Sequence, residues 1–480
     1  MADDSAPGGP GNPRPRGDKK TGDSDKKTGG GDKKPPGPPD RDESEAPARF
    51  DACTSTPMAL PAIRAMAKWC DLPPGNVGAQ KLHAMLDKFR RAIATECGFS
   101  LQGPDRYAVV FTASASEANC AIILATARAY ATKMKKIPHI VTTAAEHCSI
   151  LECCGRLVLD GLAHVTYVPV RTVGHGFGTV DPEEVAKALR PNTCLVSVIA
   201  AHHVTGAVAD LKALGAIAHE ARVPLHTDAA QCFGRLPLRL YGMGIDALSA
   251  TFGKLHGPPG VGVLIVRAAL IDGYGLGPLV AGDADLNEGL RGGGANAPGI
   301  AAAFSAFRAA AEGRAAAAAE TKQLRDALRA ALARRYSALY LDAYRDALVG
   351  KNPPAYQVIR DLAAGTPESE KNGTAPLLVW LSPREGAGVL GNVLCFAIHR
   401  PGISGEAVRQ ALEEKGVFVG GPKPAEQADF AKNFDIPAGL REAIFVAALS
   451  PMTRVADAKK FVQALAACLS GQSWRRSGHC

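Results

Sequence analysis

Two short stretches of the chain carry the residues best suited to chemistry. His226-Thr-Asp-Ala-Ala-Gln231 closes one apolar run with an acid, and Ala250-Thr-Phe-Gly-Lys254-Leu-His-Gly-Pro-Pro-Gly260 closes another with a lysine before a Gly/Pro turn. The carboxyl ends of parallel strands are where α/β sheets hold ligands. A lysine in a partly desolvated site beside other cations can lose its proton and form a Schiff base with a carbonyl group. Taken singly, a strand-end lysine is commonly a surface residue, and Asp228 could simply cap the helix after its strand.

The elements needed to position them are legible in the hydropathy pattern. From Arg106 onward, apolar runs at 107–111, 139–143, 164–170, 194–201, 224–227, 247–251 and 261–267 alternate with helix-like stretches at 115–135, 181–189 and 211–222. Asp181, Pro182 and Glu184 form a capping-box start for one of these helices. Strands buried on both faces and spaced by helices predict an α/β fold with a mostly parallel, seven-stranded sheet. Residues 299–345 read as one long Ala-rich helix, with Gly313 as a possible break. Beyond it, strands at 377–381, 393–399 and 444–449 and helices at 405–415 and 455–469 predict a smaller α+β domain, reached through a loop or insertion at 346–374. Gly174-His-Gly-Phe-Gly178 lacks dinucleotide-fingerprint spacing and reads as a turn.

Composition narrows the function classes. Residues 1–48 hold Gly, Pro and nearly balanced charge but no Val, Ile, Leu, Phe, Tyr, Trp or Cys, so they are expected to be a disordered tail. No apolar run reaches the roughly 18 residues of a membrane span. The N-terminus has no secretory pattern, which predicts an intracellular, cytoplasmic protein with reduced thiols. The 12 cysteines show no zinc spacing. Lys133, Lys135 and Lys136, and Arg475-Arg476 beside Trp474, read as a solvated helix end and a loose tail rather than a nucleic-acid surface.

A carboxylate that keeps a ring nitrogen protonated makes that ring an electron sink, and an acid paired with a Schiff-base lysine is the arrangement of pyridoxal phosphate enzymes. Phe111-Thr-Ala-Ser-Ala-Ser-Glu-Ala-Asn119, Glu146-His147, His202-His203 and the two stretches above occur in the order seen in the class V aminotransferase group. From about Pro57 to Leu469 the chain resembles its cysteine desulfurase and selenocysteine lyase branch. The resemblance implies a pyridoxal 5'-phosphate transferase of fold type I. A large cofactor domain would span 49–310, with 49–80 packing against the small domain. The linking helix and small domain would span 311–470, with a tail at 471–480. It further implies that Lys254 carries the cofactor and that His147 stacks on the ring, both as catalytic residues. Asp228 would face the ring nitrogen, with Gln231 and His203 on the ring hydroxyl. Ala115, Ser116, Thr251 and Gly253 would lie around the phosphate. Each has a plainer alternative: His147 as a core histidine, Ser116 as a helix N-cap, and His202-His203 as a metal pair, although an extended chain would turn those two to opposite faces. No metal is expected.

Three departures from the family bear on function. The segment Lys415–Glu426 matches the loop that carries the desulfurase nucleophile, yet residues 396–467 contain no cysteine. Phe445 stands where the family places an arginine for the substrate carboxylate. Gly253 replaces a histidine, and Gly292-Gly-Gly294 replaces a segment whose threonine reaches the partner subunit's cofactor, while Arg291 and Asn296 keep its flanks. Two readings follow. One is an enzyme acting on an amino acid or amine, by β-elimination, transamination or epimerisation, as a homodimer. The other is a catalytically degenerate homologue serving as a binding or scaffold protein.

Overall fold

The computed structural model describes residues 47–71, 75–174, 176–283, 287–349, 351, 377–384, 388–400, 402–422 and 424–470, the side chains of Pro424 and Ala425 excepted. The expectations for the N-terminal tail, for most of 346–374 and for the C-terminal tail lie outside these residues.

The large sheet is built from β2 (Tyr107–Thr112), β3 (His139–Thr143), β4 (His164–Val168), β5 (Thr193–Ser197), β6 (Leu225–Asp228), β7 (Ala247–Thr251) and β8 (Gly262–Arg267). Its order is β2-β8-β7-β6-β5-β3-β4, and β8 alone runs against its neighbours. The continuous apolar runs have a direct cause. In β2, Val109 and Phe111 face one core and Val110 faces another, so neither side of the strand meets water. Helix α3 (Ala115–Met134) and α4 (Cys148–Leu159) cover one face. On the other, α2 (Gly75–Cys97) presents Met85, Leu86, Phe89, Ile93 and Cys97 as a helical stripe, with Phe89 stacked on Phe304 at 4.8 Å. The connections from β3 and β5 diverge where the strand order reverses, which opens the crevice used by ligands in such sheets.

The Asp181 cap is present on α5 (Pro182–Ala188), where Oδ1 accepts from the Glu183 amide. Glu184 pairs with Lys187 instead of completing the capping box. Helix α6 (Leu211–Glu220) and the short α7 (Ala268–Tyr274) follow β5 and β8. Gly176-Phe-Gly178 is a turn, with Gly174 and Gly178 at positive φ.

Helix α8 (Ala297–Arg335) starts at an Asn296 cap and runs through Gly313 without a break, but it stops ten residues short of 345. The reason is Tyr336, which turns to an extended conformation and leads into β9 (Ala338–Tyr340) and α9 (Leu341–Leu348). A four-stranded sheet, β13-β11-β10-β9, combines β9 with β10 (Leu377–Trp380), β11 (Val393–His399) and β13 (Ile444–Ala448). It packs with α10 (Gly405–Glu414) and α12 (Val455–Ser470). The N-terminal strand β1 (Ala48–Phe50) joins this part, pairing in parallel with β12 (Val417–Val419). Among the described residues no helix is long and apolar enough to cross a membrane.

Candidate active site

Asp228 is the last residue of β6 and is 3% exposed. Its Oδ1 accepts from the Ala230 amide at 2.9 Å, and its Oδ2 accepts from Asn119 Nδ2 at 2.8 Å. Neither donor is charged, and among the described residues no cationic side chain forms an ion pair with it. A buried carboxylate held only by neutral donors retains a large electrostatic demand for a cation. Asn119, on the buried face of α3, also donates to Ser149 Oγ at 3.0 Å, and that hydroxyl lies 2.8 Å from His147 Nδ1. Sequence reading did not single out Asn119 as a site residue. Its signal was a fully polar side chain within an otherwise small and apolar helical stripe.

His147 is the N-cap of α4, its Nδ1 accepting from the Ser149 amide. His203 presents its ring edge-on, 6.0 Å from that of His147, so the structure brings these two together. His202 and His203 lie in a turn rather than an extended chain, with rings 4.9 Å apart. His202 is buried beside Phe430 and Phe434, accepts from Thr205, and has its pKa pushed down to about 3 by burial. Among the described residues no group of three or more His, Cys, Asp or Glu is arranged to hold a metal ion. Glu146 ties the diverging loops together: its Oε1 accepts from Thr143 Oγ1 at 2.7 Å and from the Ile199 amide at 2.9 Å. Burial raises its pKa to about 8.

The anion-binding end is the start of α3. Ser114, not Ser116, is its N-cap, accepting from the Glu117 amide at 3.0 Å. Ala115 and Ser116 are therefore the first two helical residues, whose amides have no acceptor within the helix. Glu117 folds back onto the Ala113 amide and is held by Arg291 Nε at 2.8 Å. Thr251, at the end of β7, uses its hydroxyl to donate to Val261 O and to accept from the Gly253 amide. Gly292 is required by packing, since a Cβ there would lie 2.6 Å from the Gly282 amide nitrogen, whereas one at Gly294 would meet nothing.

Lys254 lies in the turn after β7, and the N-terminal segment straps that turn in place. Thr56 Oγ1 donates to Gly253 O at 3.0 Å and accepts from the His256 amide at 2.7 Å, and the Ala59 amide donates to His256 O. His256 occupies a left-handed conformation, with its ring against Pro57 O. Arg235 donates to the carbonyls of Lys254 and Ala52 and to Gln231 Oε1. Gln231 is buried and donates to Cys53 O at 2.9 Å, so its amide is engaged by the strap. Thr56 and Cys53 were missed in the sequence because their partners lie about 180–200 positions away, and Arg235 because its bond to Ala52 spans 183 positions.

Two of the departures acquire a structural setting. Phe445 does not line the cleft. It is buried in the small-domain core, stacked on Phe396 at 5.5 Å, because β13 turns 445 and 447 away from the large domain. The segment matching the nucleophile loop, Lys415–Glu426, includes β12 and the first residues of α11 (Pro424–Asn433), whose Asn433 donates to Ala144 O beside the β3 loop. One thiol does lie at the site: Cys148 Sγ is 3.8 and 3.9 Å from the two ring nitrogens of His147.

The model of the Aminotransferase class-V family matches residues 50–347. A "Cysteine desulfurase" of Mus musculus is 33% identical over 241 residues, which are 48% of this chain and 50% of that protein. The "Cysteine desulfurase IscS" of Anaeromyxobacter dehalogenans is 33% identical over 295 residues, 60% of this chain and 68% of that one. The chain thus spans about half the length of the animal relatives it matches. Among solved structures, a "NIFS-LIKE PROTEIN" superposes with a TM-score of 0.70 at 23% identity over 88% of this chain and 99% of that one. The cysteine desulfurase CsdA of Escherichia coli gives 0.66 at 19% identity over 89% and 95%. The fold is that of the NifS-like enzymes. With well over half its length matched by the family model and a third of the residues identical over the 295 aligned with one such relative, the chain belongs to the class V aminotransferases.

Proposed function

We propose that this protein is a pyridoxal 5'-phosphate enzyme acting on an amino acid or amine. The observation that carries the reading is Asp228: a buried carboxylate that no cationic side chain among the described residues pairs with, one strand away from the Lys254 turn. The donor set fits the cofactor. Asp228 would receive the protonated ring nitrogen, and His147 would stack on the ring with His203 at its edge. The first amides of α3, at Ala115 and Ser116, together with Thr251 and the Gly253 amide, would receive the phosphate. Gln231 would reach the ring hydroxyl only by sharing its amide with Cys53.

When bound, the cofactor supplies a ring that draws electrons from the substrate's Cα. The chain does the rest. Lys254 is the covalent anchor and then holds or delivers the proton at Cα. Asp228 keeps the ring nitrogen protonated, and Asn119 fixes the carboxylate that does so. The absence of cysteine from 396–467 argues against persulfide formation in the manner of the desulfurases, which leaves β-elimination, transamination or epimerisation. The protein is proposed to act as a homodimer, which light scattering on the purified chain tests directly.

The purified protein should carry visible cofactor absorbance, or acquire it on addition of pyridoxal phosphate, and Lys254→Ala should abolish the lysine-dependent band. A protein that stays colourless after reconstitution overturns the reading and favours the scaffold alternative. An unchanged band in Lys254→Ala overturns the assignment of the lysine.

A further inference from the structure

Beside the Lys254 turn lies a cavity of about 320 Å³. It shares Lys254 with the site above, but not His147, His203, Asp228, Ala115, Ser116 or Thr251. Its wall is largely apolar, with Ala310 and Gly313 of α8 facing Leu390 and Met452 of the small domain. The size falls in the range of small-molecule sites, which combine apolar walls with a few polar groups that fix orientation.

The cavity's polar lining includes the cations Arg235, Arg314 and Lys254 beside His256, Thr321 and Asn392. Arg235 lines the cavity and donates to the carbonyls of Lys254 and Ala52 and to Gln231 Oε1. A guanidinium has five N–H donors; with both Nη2 hydrogens on backbone carbonyls and one Nη1 hydrogen on Gln231, the Nε hydrogen and one on Nη1 are left, pointing in different directions. Among the described residues it forms no ion pair, and burial pulls its pKa down. Arg314 also lines the cavity, but it is already paired with Glu96. A desolvated guanidinium held only by neutral oxygens is best satisfied by an anion, and a carboxylate oxygen can take a charge-assisted bond from one of its remaining N–H groups.

A second observation concerns Gly313. Glycine in a helix interior costs about 1 kcal/mol relative to alanine, yet α8 keeps one in the middle of an Ala-rich run, at the cavity wall. A Cβ at Gly313 would meet no atom within 4 Å, so packing does not demand glycine there. The missing side chain leaves room in the cavity.

We propose that this cavity binds a small monocarboxylate with an apolar body. Arg235 holds the carboxylate beside the Lys254 turn, and the apolar body lies along the small-residue face of α8. Of the residues assigned to the cofactor the cavity shares only Lys254, and the carboxylate is held by Arg235, so the site stands whether or not the chain binds pyridoxal phosphate.

Octanoate, octanol and octylamine are the probes, titrated calorimetrically into the full-length purified protein. Octanoate should bind saturably at one site, and the alcohol and amine at least tenfold more weakly. Gly313→Leu, which fills the cavity from a helical position with open space around it, should weaken octanoate binding at least tenfold while leaving the ligand-free Tm equal or higher. Arg235→Gln should reduce the preference for octanoate over octanol. Equal binding of the three probes, or octanoate binding unchanged by Gly313→Leu, overturns the proposal. The Gly313 variant keeps this informative even if Arg235→Gln loosens the strap.

Discussion

Asn119 and Asp228 are 109 positions apart, yet the amide of one donates to the carboxylate of the other at 2.8 Å. The same amide reaches Ser149, whose hydroxyl meets His147, so one fully buried asparagine aligns the acid of β6 with the histidine that caps α4. This makes Asn119 a positioning residue for both.

Replacing Asn119 by Ala should leave a buried carboxylate with one donor fewer. A loss of about 1–3 kcal/mol is expected for an unsatisfied buried group, read as a lower urea midpoint. Affinity for pyridoxal phosphate should fall by more than the change in stability alone explains, measured by absorbance titration of folded protein. Unchanged affinity would show that Asp228 needs no such support.

Glu146 gives the protein a defined pH dependence. Its carboxyl is raised from the ordinary range to about 8 by burial. The unfolded chain therefore loses this proton at lower pH than the folded chain does, and its contribution to stability falls between about pH 4.5 and 8. Glu146→Gln keeps the acceptor for Thr143 and Ile199 but cannot ionise. Relative to the natural protein it should gain about 1 kcal/mol or more from pH 5 to pH 8, visible as diverging denaturation midpoints. Parallel pH profiles would contradict the assignment.

Restoring the family's arginine should not restore a carboxylate clamp. Phe445 lies inside the small-domain core with Phe396, and the guanidinium of Arg409 already lies over its ring. Phe445→Arg would bury a second charge there and remove an aromatic contact, for a loss of about 3 kcal/mol or more. Low yield or a strongly lowered Tm is expected, in contrast to Phe445→Leu.

The strap can be tested at Thr56, whose hydroxyl makes two bonds to the Lys254 turn. Thr56→Val preserves shape and removes both, so stability should drop by about 1–3 kcal/mol, with Thr56→Ser restoring most of it. Equal stability of the valine and serine variants would indicate that packing alone holds the strap.

How much of this was legible beforehand follows from the range of the forces. Continuous apolar runs gave the seven strands of the large sheet, because burial on both faces leaves a local imprint; several strand ends shifted by one to four residues, because ladder hydrogen bonding stops before the apolar run in β4 and at the end of β5 but takes in Thr112, Thr193 and Asp228 beyond it. Asp228 and Lys254 could be placed at strand ends for the same reason. The plainer alternative for Ser116, a helix N-cap, falls to Ser114, since the two serines have equal chemistry and only the backbone conformation separates them. Gly313 left α8 intact because the surrounding alanines and tertiary packing outweigh about 1 kcal/mol.

By itself, then, the sequence determined the α/β class, the order of the strands along the chain and the acid–lysine pair at their ends, since each is written within a few neighbouring residues. Tertiary structure alone decided that Asn119 serves Asp228, that Thr56 and Arg235 hold the Lys254 turn, that Phe445 faces away from the cleft, and that Gly313 borders a cavity. Those relationships join positions brought together by sheet order and helix packing, and no local pattern records them.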